Sequence, residues 1–179
     1  MPAAVALTGV PGTGKSATAA RLSPEFRTAE VSELALAWGL GRRTGDTIIV
    51  DLERMRRRYR RDPPAVDLVV GHLAHLLPLR DVIVLRCHPA RLVDRLKRSG
   101  RGSARDRREN FLSEALDLIL AEALRPGRRI WEVDTTSRSP NEVAQLVTQI
   151  LRRRPHPQYG DVDWLADPKV TEHLWERTE

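Results

Sequence analysis

Residues 9–16 read Gly-Val-Pro-Gly-Thr-Gly-Lys-Ser, and they fit the phosphate-binding template G-x-x-x-x-G-K-[ST] at every fixed position. The apolar run from Ala3 to Leu7 precedes them, and an alanine-rich helical pattern from Ala17 to Leu22 follows. Glycines allow the backbone N–H groups of such a loop to curve around polyphosphate oxygens without side-chain clashes. The stretch therefore predicts a strand, a phosphate-binding loop and a helix that together form a nucleoside triphosphate site.

Two side chains of the loop have predicted roles. Lys15 is expected to reach the β and γ phosphate oxygens, and the Ser16 hydroxyl is expected to be a ligand of Mg²⁺. The helix that begins beside them directs the positive end of its dipole at the phosphates. ATP and Mg²⁺ are therefore the predicted cofactors.

Length and composition predict one compact domain. The chain has 179 residues, of which 41% are hydrophobic, and it contains no apolar run close to the length of a bilayer crossing. Its first residues, MPAAVALTG, lead directly into the first predicted strand without the pattern of a signal peptide, which favours a cytoplasmic protein without membrane contact. The single cysteine, Cys87, is consistent with a reducing compartment, and its apolar strand predicts a buried structural thiol.

The charge of the chain indicates an anionic partner besides a nucleotide. The 30 basic residues give a net charge of +6 and a pI near 10.3, and only three of them are lysines. Arginines are dense in Arg54–Arg61, which reads RMRRRYRR, and in Arg152–Arg154. These clusters are consistent with contact to RNA or a ribosome. Solvated helix faces explain them equally well.

Apolar runs alternate with helical patterns, which is typical of a parallel sheet with helices packed across it. The predicted strands are Ala3–Thr8, Arg27–Val31, Asp67–Val70, Asp81–Cys87 and Arg129–Asp134, and the predicted helices are Lys15–Leu22, Ser32–Trp38, Val50–Arg60, Ala90–Ser99 and Arg107–Leu124. A last helix follows Ser139, Pro140 and Glu142, which form a capping box with proline at the first helical position. The segment after Arg154 is predicted to be a linker or a draped extension, docked by Trp164 and Leu165.

A phosphate loop is shared by kinases, GTPases, motors and transporter subunits. The small size favours a kinase, and the chain has no guanine-reading N-K-x-D pattern. A basic, glycine-containing loop begins near Arg95 and continues to Arg108. A mobile lid of this kind supplies cations to a transferring phosphoryl group and excludes water. Arg98, Arg101 and Arg105 are the lid candidates, and a charged surface loop is the alternative.

Five segments together resemble the small adenylate kinase-like family of archaea and eukaryotic nuclei. They are GVPGTGKS at 9–16, HLAHLLP at 72–78, VIVLRCHPARLVDRLKRSGRG at 82–102, RRENFLSEALDLILAEA at 107–123 and GDVDWL at 160–165. The resemblance covers most of the chain and implies a nucleoside monophosphate (NMP) kinase fold. It also implies phosphoryl transfer from ATP to AMP or another nucleoside monophosphate. It further implies ATP hydrolysis linked to maturation of the small ribosomal subunit, through a ribosomal platform protein and pre-ribosomal RNA.

The resemblance also implies an organisation of the chain and a set of site residues. A P-loop kinase domain is expected over residues 1–154, with an NMP-binding region at about 32–51, a lid at about 98–108 and a C-terminal extension at 155–179. The ATP-binding residues carried over by position are Gly12, Gly14, Lys15, Ser16 and Ala17, with Arg101 as the lid arginine, or Arg98 if the loop aligns differently. In the NMP-binding region, Glu33, Arg42 and Arg43 are candidates for contacts to ribose or phosphate.

The chain departs from the family pattern at the metal site. By resemblance, an acidic residue is expected two positions before His72 to hold the hydration shell of Mg²⁺, and Val70 stands there. Asp67 and Asp51 are weak candidates to replace it. His72 is placed at the carboxyl edge of the sheet, where it would position a hydrolytic water or serve in packing. His75 is expected to be structural.

Two other functions remain open from the sequence. One is an assembly factor in which nucleotide binding changes the affinity for a ribosomal protein or RNA, with negligible kinase turnover. The other is a kinase for a different small metabolite, such as dephospho-coenzyme A or shikimate, although the GDVDWL and HLAHLLP segments do not favour it.

Overall fold

The computed structural model describes residues 3–45 and 47–175, with the side chain of Trp175 excluded. In this part of the chain the strands are β1 (Val5–Thr8), β2 (Thr28–Glu30), β3 (Gly41–Thr44), β4 (Thr47–Val50), β5 (Leu68–Val70), β6 (Asp81–Arg86) and β7 (Arg129–Asp134). The helices are α1 (Lys15–Leu22), α2 (Val31–Ala37), α3 (Leu52–Arg61), α4 (Pro89–Arg98), α5 (Ala104–Ala115), α6 (Leu118–Ala123), α7 (Pro140–Arg153) and α8 (Pro168–Trp175). Short 3-10 turns cover Ala74–Leu76 and Trp164–Ala166.

The central sheet has the order β2-β5-β1-β6-β7, and each described pairing within it is parallel. All five strands predicted from the sequence are therefore confirmed, and so is the α/β class. β1, β5 and β6 are buried along their whole length. A parallel sheet covered on both faces produces such continuous apolar runs, and this made the strands recognisable in the sequence.

Helices cover the two faces of the sheet, and each face has its own core. α1 and α7 pack on one face, where Leu22, Val143 and Val147 meet the side chains of alternate strand positions such as Leu7. α2, α3 and α6 cover the other face. The Ser139–Glu142 capping box at the start of α7 is present, as predicted.

Two segments differ from the prediction. Strands β3 (Gly41–Thr44) and β4 (Thr47–Val50) pair antiparallel, and the sequence did not predict them. The helix predicted over Arg107–Leu124 is wrong as a single element, because α5 ends at Ala115 and α6 begins at Leu118. The break lies at Asp117, whose backbone is left-handed with φ at 54°. Its carboxylate pairs with the Arg86 guanidinium.

Arg86 is the centre of a buried charge network that joins the sheet to the tail. Its guanidinium also pairs with Glu132 and donates to Glu114, with Nε 2.7 Å from Oε1. The same Glu114 oxygen accepts from the Trp164 indole at 3.0 Å. Trp164 therefore docks the tail as predicted, whereas Leu165 remains 43% exposed. The tail then continues into α8, a helix that the sequence analysis did not predict.

Two further findings concern Cys87 and the length of the apolar helices. Cys87 is buried, as predicted, and burial raises the pKa of its thiol to about 11. Within residues 3–45 and 47–175, no helix combines the length and the apolar character that a membrane crossing requires.

Candidate active site

The loop between β1 and α1 has the conformation that its glycines predict. Gly9 has φ at 142°, and a Cβ there would lie 2.4 Å from the carbonyl oxygen of Leu85, so this position excludes any side chain. Gly14 has φ at 98°, and a Cβ there would meet nothing within 4 Å. The loop is therefore held against β6 at its start and faces open space where it enters α1.

The Lys15 ammonium lies folded over this loop. Its Nζ donates to the carbonyl oxygens of Gly9 and Val10, at 2.8 and 3.0 Å. Burial lowers the pKa of Lys15 to about 8, with a smaller contribution from Arg101, while Glu30 acts in the opposite direction. The amine is thus a desolvated cation held by neutral carbonyl oxygens. The negative charge of a polyphosphate would stabilise its charged form more strongly than these carbonyls do.

A cavity of about 660 Å³ opens beside the loop. The predicted site residues Gly12, Gly14, Lys15, Ser16, Ala17, His72 and Arg101 all line it. It is also lined by Val31 and Ser32 of α2 and by Thr47, Ile48 and Val50 of β4. One cavity therefore joins the phosphate loop to the region expected to bind a monophosphate, whereas Glu33, Arg42 and Arg43 are exposed and lie outside its lining.

The structure distinguishes the candidate lid arginines by position. Arg101 lies in the turn between α4 and α5 and lines the cavity. Arg98 is exposed at the end of α4 and lies outside the lining, and Arg105 pairs with Glu109 on the surface of α5.

Arg95 is a site residue that the sequence analysis missed. It lines the main cavity, and its guanidinium donates to the carbonyl oxygen of Thr135 at 2.6 Å. It thereby bridges α4 and the segment after β7. Its place one turn before the predicted lid was the only hint in the sequence.

Arg95 also borders a second cavity of about 240 Å³ on the other side of the loop. This cavity is lined by Thr13, Gly14, Ala17, Thr18, Arg95, Thr135, Arg138, Pro140 and Val143. Gly14, Ala17 and Arg95 line both cavities, so the two cavities lie on either side of the start of α1.

The oxygen donors beside the loop come from α1 and β2. The Ser16 hydroxyl lies 3.5 Å from Oε1 of Glu30, and both residues line the main cavity. Within the described ranges no group of three or more His, Cys, Asp or Glu side chains forms a metal cage. Mg²⁺ in nucleotide sites needs none, because it keeps waters and binds substrate phosphates with one or two protein oxygens. A hydroxyl and a carboxylate therefore fit a Mg²⁺–nucleotide complex.

The two weak candidates for the missing acid lie elsewhere. Asp67 precedes β5 and pairs with Arg27, at the opposite edge of the sheet from the loop. Asp51 accepts from the backbone N–H of Arg54 and caps α3. Val70 is 1% exposed and belongs to the apolar core.

The two histidines differ as expected. His72 is exposed on the cavity wall directly after β5, and its pKa is lowered because the wall desolvates the ring and Lys15 lies nearby. His75 is buried, with Nδ1 2.9 Å from the Thr8 hydroxyl and Nε2 2.8 Å from Glu122, which confirms its structural role.

Comparisons with known proteins agree with this geometry. Residues 5–117 match a family model described as an AAA domain. A protein of Thermococcus onnurineus named "Putative adenylate kinase" is 37% identical over 95% of this chain and 96% of its own length. Proteins with the same name from Archaeoglobus fulgidus and Halobacterium salinarum are 41% and 39% identical, over 91% and 89% of this chain and 92% and 96% of theirs.

Proposed function

The chain belongs to the adenylate kinase-like family of P-loop proteins, and from this premise we propose that it transfers the γ-phosphoryl group of ATP reversibly to AMP or another nucleoside monophosphate. The observation that carries the proposal is the continuous cavity of about 660 Å³ between the phosphate loop and the β3–β4 hairpin. Donor and acceptor phosphates must meet in line within one space, and this cavity offers it.

The proposed arrangement assigns each ligand to a chamber. The polyphosphate of ATP lies on the loop, its base extends into the second cavity beside Arg95 and Thr135, and the acceptor enters between α2 and the hairpin. The kinase domain then spans residues 1–154, with the NMP-binding region at 32–51 and the lid at 98–108, and residues 155–179 form the extension.

Phosphoryl transfer in this site depends on cations and alignment. An acceptor phosphate oxygen is already a nucleophile, so it attacks the γ phosphorus, the bond to the β-γ bridging oxygen breaks, and two nucleoside diphosphates result. Lys15 leaves its two carbonyls for the β and γ oxygens, while Arg101 closes on the transferring group. The Ser16 hydroxyl would hold Mg²⁺, and the ion would supply further positive charge at this site.

The direct test is to quantify ADP after mixing the purified protein with ATP and Mg²⁺, with and without AMP. The expected result is two ADP for each AMP consumed, and loss of this activity in Lys15→Ala. Near-normal rates in Lys15→Ala would refute the site, and ADP formation with free phosphate regardless of AMP would refute the kinase.

A second candidate function is a nucleotide-dependent ribosome-assembly ATPase in the cytoplasm, with a small-subunit platform protein and pre-ribosomal RNA as partners and no membrane contact. Two observations favour it. Arg54, Arg57, Arg60 and Arg61 of α3 are exposed, and His72 lies on the cavity wall, where it would position a hydrolytic water. A ribosome-assembly ATPase is expected to bind RNA in a salt-sensitive way.

A His72→Ala variant that retains AMP phosphorylation but loses ATP hydrolysis would support this second function, whereas equal loss of both activities would make His72 structural.

A further inference from the structure

Glu30 of β2 lies directly beside Val70 of β5, the position at which the family resemblance implies an acid. β2 pairs with β5 in parallel register, with Glu30 opposite Val70. Residues paired in this way point to the same face of a sheet, and neighbouring strands are about 4.8 Å apart. Val70 packs in the core below α1, so Glu30 also faces the helix that begins at Lys15.

The Glu30 side chain is directed to the phosphate loop by its contacts. Glu30 is the N-cap residue of α2, but its carboxylate makes no capping hydrogen bond. Instead Oε1 lies 3.5 Å from the Ser16 hydroxyl at the start of α1. A glutamate that leaves its own helix uncapped to face a serine in another element indicates a role at that second element.

The surroundings of Glu30 favour a cation beside it. The residue is half-buried and lies close to the Lys15 ammonium. A desolvated carboxylate next to phosphates is costly unless a cation lies between them. Hard oxygen donors of this kind select Mg²⁺ and accept hydrogen bonds from its water ligands.

We propose that Glu30, from β2, positions the Mg²⁺ of the bound nucleotide together with Ser16, in place of the acid that Val70 replaces on β5. Glu30 acts as a positioning residue through the water ligands of the ion. The inference rests on the proposed function for the presence of a nucleotide, and it concerns metal binding rather than the choice of acceptor.

Mn²⁺ binding tests the inference without turnover. The free Mn²⁺ signal in electron paramagnetic resonance is followed during titration of the full-length protein with a non-hydrolysable ATP analogue present. Removal of a group that holds metal ligands typically weakens metal affinity about 10–100-fold, so we expect a loss of that size in Glu30→Gln and a smaller loss in Glu30→Asp. Affinity for the analogue in EDTA should stay equal or become tighter, because Glu30→Gln removes a negative charge near the phosphates.

The matched control is Glu53→Gln, which removes the same charge from the exposed surface of α3 and should leave Mn²⁺ affinity unchanged. Equal Mn²⁺ affinity in wild type and Glu30→Gln would overturn the inference. A loss of analogue affinity in EDTA as large as the loss of Mn²⁺ affinity would also overturn it. Glu30 would then affect the shape of the pocket and not the metal. If Glu30→Gln weakens Mn²⁺ binding but the wild-type protein does not phosphorylate AMP, the role of Glu30 is supported and the proposed kinase activity is refuted.

Discussion

Raising the pH from 7 to 9 should weaken ATP binding through a single side chain, Lys15. Burial lowers the pKa of this lysine to about 8 in the free protein, so the amine loses its proton across this interval. Bound phosphates favour the charged form and raise the pKa again. Binding above pH 8 must therefore be accompanied by uptake of a proton, and affinity falls as the pH rises.

The size of the effect follows from the pKa. If Lys15 stays charged in the complex, the dissociation constant rises about twofold between pH 7 and pH 8 and about tenfold between pH 7 and pH 9, which is ~1.4 kcal/mol at the higher pH. Proton uptake should approach about 0.5 per ATP at pH 8 and about 0.9 at pH 9. Three other shifted groups titrate outside this interval, since burial raises the pKa of Cys87 to about 11 and that of Tyr59 to about 12, whereas the pKa of His72 is lowered.

Isothermal titration calorimetry in two buffers of different ionisation enthalpy measures both the dissociation constant and the number of protons taken up. Lys15→Arg is the control, because arginine keeps its charge throughout this range and its affinity should show no such slope, however weak it is. A wild-type dissociation constant that stays constant from pH 7 to pH 9, without proton uptake, would refute the reasoning about the buried ammonium.

Three further outcomes follow from the contacts. Arg101→Ala should lower kcat at least about 100-fold, because a cation on the transferring group is lost. For Arg98→Ala, which lies outside the cavity, kcat should stay within about threefold of wild type. Equal losses in steady-state kinetics would contradict this distinction. Glu114→Gln should lower the free energy of unfolding by about 3 kcal/mol in urea denaturation, because its buried arginine partner loses one of three carboxylates, and the exposed Glu109→Gln should change it by less than about 0.5 kcal/mol. Trp164→Phe should cost about 1 kcal/mol through the lost indole hydrogen bond, and unchanged stability would show that the tail docks by other contacts.

The central sheet and the phosphate loop could be predicted because their signals are local. A buried parallel strand is a continuous apolar run, and the loop has fixed residues at fixed spacing. The β3–β4 hairpin carries a weaker signal, because its strands are half-exposed and include Arg42 and Arg43. The apolar residues keep their helical spacing across the division between α5 and α6, so the sequence does not signal it. The division occurs because Asp117 pairs with Arg86, 31 positions earlier in the chain.

The site residues that escaped prediction are those that depend on pairing between distant elements. Arg95 gains its role from the segment after β7, 40 residues away. Glu30 lies next to the phosphate loop because β2 pairs with β5, which is 40 positions further along the chain. The resemblance places the expected acid on β5, whereas the register between the strands brings the carboxylate of Glu30, on the neighbouring strand, to Ser16 of the phosphate loop.

An acid on β2 has a consequence that an acid on β5 would not have. Glu30 is the last residue of β2, and α2 begins at the next residue, Val31, which lines the acceptor side of the cavity. Any displacement of α2 by an acceptor therefore moves the backbone that carries the proposed metal-positioning carboxylate. Because linkage between two ligands is reciprocal, a metal held through Glu30 must affect acceptor binding by the same factor by which the acceptor affects metal binding. The two proposals together therefore predict that acceptor binding and metal binding are coupled through Glu30 and α2.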